Sequence, residues 1–189
     1  MMRHVLNLGL RLFLVCAVAA AGLGLTYSLV KDRIAQEEAK RRARAAEAVL
    51  SSIGAQPRES EELTALLQRD FPDLITVFEG LDEAGQRAGY AFVLKSKGYN
   101  FITMAVGVDL EGKVTGIKAV TNEETPGLGS VALDSEQYLA KFQGKGPEPL
   151  TLKVDVDAWT GATFTSKGIA NGANMALEMW KRLQEGGEV

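Results

Sequence analysis

The sequence predicts an α+β protein: one N-terminal transmembrane helix, then a domain of helices packed on a mainly antiparallel sheet. Three observations carry this. Leu12 to Val30 is a 19-residue run without a charge, close to the roughly 20 apolar residues that cross a bilayer as a helix. Residues 74–120 hold short apolar or alternating segments separated by Gly-containing turns, the pattern of a strand meander. Near the C-terminus, Ile169, Ala173, Ala176, Trp180 and Leu183 are spaced by 4, 3, 4 and 3, which is one face of a helix.

The elements follow in order. Ala17-Val18-Ala19 resembles a signal cleavage site behind Arg3 and Arg11. The apolar run continues past it through Leu23, Leu25 and Leu29, which favours a retained anchor over a cleaved signal. Residues 31–52 are rich in Ala, Glu, Lys and Arg, strong helix formers, and read as a solvated spacer helix with a lesser capacity for anionic lipid head groups. Gly54-Ala55-Gln56-Pro57 breaks it. A short helix is expected from Ser60 to Asp70, with Leu63, Leu66 and Leu67 on one face. Strands are expected at Leu74–Glu79, Gly89–Lys97, Phe101–Asp109, Lys113–Val120 and Leu150–Val156. Thr121–Ser130 reads as a loop, Ser135–Phe142 as a short helix capped by Ser135, and Ser166–Glu185 as the final helix. The expected division is 1–30 for the flank and anchor, 31–56 for the juxtamembrane helix and linker, and 57–189 for the domain.

Composition excludes several classes. From Ala45 onward there are 13 Lys+Arg and 21 Asp+Glu, a net charge of -8. Such a surface repels phosphate backbones, so no nucleic-acid partner is expected. The single Cys16 permits no intrachain disulfide and holds no iron–sulfur cluster, and bulky Val15 before it argues against a lipoprotein cysteine. The single His4 precedes the anchor as a solvated flank, so no metal site and no Ser–His or Cys–His chemistry is expected in the domain. Glu123 and Glu124 project to opposite sides of an extended chain and make no acid–base pair. No catalytic residue is expected.

The segment Asp157-Ala158-Trp159-Thr160-Gly161-Ala162-Thr163-Phe164-Thr165-Ser166-Lys167-Gly168 opens the final helix. Thr160, Thr163, Thr165 and Ser166 place four hydroxyls within seven residues, more than a helix cap needs. A helix start offers unsatisfied N–H groups and partial positive charge, which suits a phosphate. Lys167 adds a cation, and Gly161 and Ala162 leave the backbone accessible. The alternatives at this point are a phosphate site and an ordinary cap. No GxxxxGK[ST] loop is present.

Asp157-x-x-Thr160-Gly161-Ala162-Thr163 resembles the D-x-x-[ST]-G-A-T flavinylation motif of the FMN-binding domain family. That family includes the G subunit of Rnf-type ferredoxin:NAD oxidoreductases and the C subunit of the sodium-pumping NADH:quinone oxidoreductase. Glu124-Thr125-Pro126-Gly127-Leu128-Gly129 resembles the family's ETPGLG segment, and Gly98-Tyr99 its GY pair. The resemblance implies FMN esterified through its phosphate to Thr163 by a flavin transferase. Asp157 is then read by the transferase or positions the motif. Ser166 and Lys167 lie at the phosphate, and Glu124 to Gly129 against the ring, with Tyr99, Trp159 and Phe164 as candidate borders.

The resemblance further implies an electron carrier working with other membrane subunits, of the Rnf type on the strength of the short chain. The sodium-pump type is the alternative, and a cofactor-free membrane-anchored assembly module the rival class. The family's flavin domain lies outside the cytoplasmic membrane. Lys31, Arg33, Lys40, Arg41, Arg42 and Arg44 after the anchor point the other way by simple positive-inside counting, although Asp32, Glu37 and Glu38 dilute them.

Overall fold

The first helix, α1, runs Met2–Leu50. The computed structural model describes residues 2–187; Met1, Glu188, Val189 and the side chains of Met2, His4 and Val5 lie outside the described residues. The chain divides into two compact units, Met1–Lys40 and Arg41–Val189. In the first unit the apolar side chains are exposed on all sides of the helix, Leu8, Phe13, Leu23 and Leu29 among them. A helix apolar all round and buried by no protein is long and apolar enough to cross a membrane. Past the apolar stretch of the same helix, Lys40 Nζ donates to Glu37 Oε1 at 2.8 Å, both side chains in solvent.

The second unit is built on a five-stranded sheet in the order β1-β2-β3-β4-β5, every neighbouring pair antiparallel. The strands are β1 Gln56–Ser60, β2 Leu74–Leu81, β3 Arg87–Lys97, β4 Phe101–Asp109 and β5 Val114–Asn122. Tight turns make this meander possible: Gly85 and Gly112 take φ of 76° and 77°, which a side chain would resist. Asp82 and Asp109 accept backbone N–H groups across those turns.

Side chains alternate across the sheet, and the two faces differ in size. Tyr90, Phe92, Leu94, Met104 and Val106 pack with Leu63, Leu67, Ile169, Ala173 and Leu177. These come from α2, Glu61–Gln68, and α5, Thr163–Gly186. The other face presents Phe78, Ala91, Val93 and Ala105 to Ala45, Ala46, Val49 and Leu50. The last turns of α1 therefore belong to the packed unit, where a solvated spacer was expected. Small residues on that face allow the approach: a Cβ on Gly107 would lie 2.9 Å from Val49 O.

Other differences from expectation have local causes. β1 lies in the segment read as linker and helix start. Its Pro57 is tolerated because β1 is an edge strand. The expected short helix follows as α2, and Ser60 caps it, its Oγ accepting from Leu63 N at 3.3 Å. A short helix α3, Gly129–Asp134, follows the 123–128 loop. Ser135 caps α4, Glu136–Leu139, and a 3-10 turn completes that segment to Phe142.

Leu150–Val156 is not a strand. It turns on itself: Lys153 takes φ of 71°, Asp155 Oδ2 accepts from Thr151 N at 2.7 Å, and only an isolated bridge joins Leu152 to Val156. Asn174 fixes its start, exchanging two hydrogen bonds with the Leu150 backbone at 2.6 and 2.9 Å.

Candidate functional site

The final helix starts three residues earlier than its periodicity suggested, at Thr163. Its N-cap is Ala162, which has no side-chain acceptor, and no side chain caps the helix. The N–H groups of the first turn are thus not served by a capping hydroxyl, the condition under which a helix start attracts an anion. Thr163 is exposed at the first helical position, and no hydrogen bond ties its hydroxyl to another described residue.

The four hydroxyls of this segment do different work. Ser166 is fully buried; its Oγ accepts from Trp159 N at 2.9 Å and donates to Ala162 O at 2.9 Å. It holds the preceding loop against the helix and does not face the cleft, where a phosphate contact was expected of it. Thr165 is buried and donates to Glu124 Oε2 at 3.1 Å. Thr160 and Thr163 remain in solvent. Gly161 takes φ of 84° with nothing within 4 Å of a notional Cβ, so glycine there serves the turn.

Thr163 opens into a cleft of about 260 Å³, lined by Tyr99, Glu124, Thr125, Leu128, Gly129, Gly161, Ala162, Phe164 and Thr165 as well. Two segments singled out in the sequence, 124–129 and 161–165, thus meet at one place, with Tyr99 of the third. Tyr99, Leu128 and Phe164 are each more than half exposed, an apolar rim suited to a flat ring. Pro126 and Gly127 are exposed in the same loop without lining the cleft; Gly127 takes φ of 79°. Asp157 and Lys167 are exposed and lie off the lining. Lys167 Nζ sits 5.9 Å from the centre of the Phe164 ring. A second cleft, about 290 Å³ between Val49, Gly116 and Leu139, contains none of the predicted site residues.

Sequence reasoning missed how Glu124 acts. It is 5% exposed. Its Oε1 accepts from Tyr99 N at 2.9 Å and Asn100 N at 3.1 Å, and its Oε2 from Thr165. One carboxylate thereby joins the β3–β4 turn to the first turn of α5. The surrounding glycines leave no slack: a Cβ at Gly129 would strike Glu124 and Thr165, and one at Gly168 would come within 2.8 Å of the Gly98 backbone.

Tyr138 was also missed. It is buried beneath the 157–162 loop, edge-on to Trp159 with centroids 5.6 Å apart. Its Oη makes no hydrogen bond of acceptable geometry. Burial pushes the phenol above its ordinary range, against the opposing influence of nearby Ser166 and the Trp159 backbone. Trp159 consequently belongs with the core, whereas Tyr99 and Phe164 border the cleft.

Among the described residues no cluster of His, Cys, Asp and Glu could hold a metal ion. The residues present do fit an FMN: an uncapped helix start for its phosphate, a free threonine hydroxyl beside it, and an apolar-rimmed cleft for its ring. Fold and site are those of a flavin-binding domain that follows a helix long and apolar enough to cross a membrane.

Comparison with known proteins agrees. Residues 98–178 match the FMN-binding domain, and residues 1–49 match the RnfG N-terminal region. The G subunit of the Na(+)-translocating ferredoxin:NAD(+) oxidoreductase complex of Acetobacterium woodii is 29% identical, over 96% of this chain and 94% of that protein. The G subunit of an ion-translocating oxidoreductase complex from Stutzerimonas stutzeri is 30% identical, over 92% and 79%. Its counterpart from Methanosarcina acetivorans is 25% identical, over 91% and 92%. The chain belongs to the family of G subunits of ion-translocating oxidoreductase complexes.

Proposed function

We propose that this chain is the electron-carrier subunit of an Rnf-type ion-translocating ferredoxin:NAD oxidoreductase complex and holds FMN as a phosphoester on Thr163. The observation that carries the reading is the free Thr163 hydroxyl at an uncapped helix start, inside a cleft walled by the 124–129 segment. When bound, FMN supplies the acceptance and release of electrons. The protein's own residues bind and place it. Thr163 Oγ is the attachment atom. The N-terminus of α5 offsets the remaining phosphate charge, with helix dipole and free N–H groups acting together. Lys167 adds a solvent-screened cation nearby. Gly161 and Ala162 keep the attachment point sterically open, while Tyr99, Leu128 and Phe164 cover the ring's apolar surface. Attachment through the phosphate keeps the cofactor on the chain in every oxidation state.

The partners in this reading are the other subunits of the complex and, for maturation, a flavin transferase that reads the exposed Asp157–Thr163 segment. The anchor places the chain in the lipid bilayer. The flavin domain is assigned to the extracytoplasmic side, where the resemblance puts the transferase. The relatives from Acetobacterium woodii, Stutzerimonas stutzeri and Methanosarcina acetivorans are all G subunits, which favours the Rnf type over the sodium-pump C subunit.

The test is a denaturing gel viewed under ultraviolet light after coexpression with a flavin transferase. A fluorescent band that vanishes in Thr163→Ala is expected. A dark wild-type band would end the proposal. A reporter fused to the C-terminus tests the side of the membrane: activity confined to the cytoplasm would overturn that assignment.

A further inference from the structure

We infer that Glu124 is a fixed negative charge that lowers the reduction potential of a flavin carried on Thr163, an inference that rests on the reading of Thr163 above. Glu124 lines the cleft and is 5% exposed. Its three hydrogen-bond partners are all donors, and two of them, the N–H groups of Tyr99 and Asn100, cannot accept. That set matches an ionised carboxylate, which only accepts.

No Lys or Arg forms an ion pair with it among the described residues. Buried carboxylates are ordinarily paired. The same domain shows the ordinary arrangement at Glu79, whose oxygens lie 2.7 Å from both Arg58 and Arg87. At Glu124 the charge is satisfied by hydrogen bonds and left uncancelled. Burial also shields it from the salt and water that mute Glu123 and Lys167 at the surface. The carboxylate cannot swing away, because Gly98 and Gly129 already approach it more closely than a side chain would allow.

An electron entering the cleft without a proton adds one negative charge there. Repulsion from Glu124 makes that addition less favourable. If a proton accompanies the electron, the same charge favours taking up the proton. A carboxylate that served only to clamp the turn to the helix would leave the potential unchanged once replaced by a neutral group of equal shape. Glutamine is that group, since its oxygen can accept from Tyr99 and Asn100 while its amide donates to Thr165.

The experiment uses the full-length protein in detergent, coexpressed with a flavin transferase, and the midpoint potential is read by spectroelectrochemistry with mediator dyes. Fluorescence on a denaturing gel first establishes loading; a dark wild-type band sinks the Thr163 reading and this inference with it. In loaded Glu124→Gln the first electron should enter at least tenfold more favourably, an upward shift of about 59 mV by the one-electron constant. Glu123→Gln, which removes an exposed charge one residue away, should change that equilibrium less than threefold. A loaded Glu124→Gln with the wild-type potential overturns the inference and leaves the Thr163 reading standing. Should Glu124→Gln fail to fold or load, the wild type labelled with carbon-13 at its glutamate carboxyls decides. Its infrared difference spectrum should show a carboxylate band that moves on reduction. A silent carboxylate region would overturn the inference.

Discussion

The Thr165 hydroxyl donates to Glu124 Oε2 at 3.1 Å, joining residues 41 positions apart at the wall of the cleft. This bond makes one site of two sequence segments. It fixes the 124–129 loop against the helix start that presents Thr163. The Tyr99 and Asn100 N–H groups hold the same carboxylate from the β3–β4 turn.

That packing predicts the behaviour of Gly129. Alanine there would press its methyl into the Glu124 carboxyl and the Thr165 hydroxyl. Neither can retreat without losing hydrogen bonds. Overpacking of this kind costs about 1–3 kcal/mol. Thermal unfolding of Gly129→Ala in detergent should show a clearly lowered midpoint and reduced flavin loading. An unchanged midpoint would mean that the carboxyl is free to move.

The Glu79 cluster predicts a pH dependence. Burial alone would raise the Glu79 carboxyl above its ordinary value of 4.5, but hydrogen bonds and charge from Arg58 and Arg87 outweigh it and hold the group lower. The folded state therefore binds its proton less readily than the unfolded state. Stability from this group is present above pH 4.5 and is lost as pH falls through the lower folded value. Chemical denaturation between about pH 6 and pH 3 should show a decline that Glu79→Gln flattens. An identical decline in that variant would assign it to other carboxylates.

Asn174 predicts local order. Its amide exchanges two hydrogen bonds with the Leu150 backbone, as a neighbouring strand would. Asn174→Ala leaves both backbone groups without those partners, a cost of about 1–3 kcal/mol. Hydrogen exchange should accelerate across residues 150–156 while the sheet stays protected. Unchanged exchange there would show that the Asp155–Thr151 turn suffices by itself.

The meander was legible in the sequence because strand alternation and turn glycines agree: β2 to β5 stand where the apolar segments are. Ser135 likewise announced its helix. β1 was hidden, since Gln56-Pro57-Arg58-Glu59-Ser60 has no apolar alternation and Pro57 has no N–H to donate; its strand state comes from pairing with β2. Leu150–Val156 has a strand's composition, yet Lys153 and Asn174 turn it. The start of α5 was masked by Thr163 and Thr165, whose β-branched, hydroxyl-bearing side chains suit a loop locally.

In the site, Thr163, Gly161 and the 124–129 segment were readable as motifs. The division of labour among the hydroxyls was not, because the partners of Ser166 and Thr165 follow from tertiary packing. The motif placed Glu124 beside the ring but did not show that it is buried. Its burial is set by Tyr99, Asn100 and Thr165, all of them distant from it in the chain.

The central claim is the bond between FMN and Thr163. It is tested most directly by the intact mass of the purified protein, followed by location of the modified peptide. A mass increased by FMN less one water, carried on the peptide containing Thr163 and absent in Thr163→Ala, is the predicted result. An unmodified mass after coexpression with a flavin transferase, or the same increment on a different residue, would contradict it.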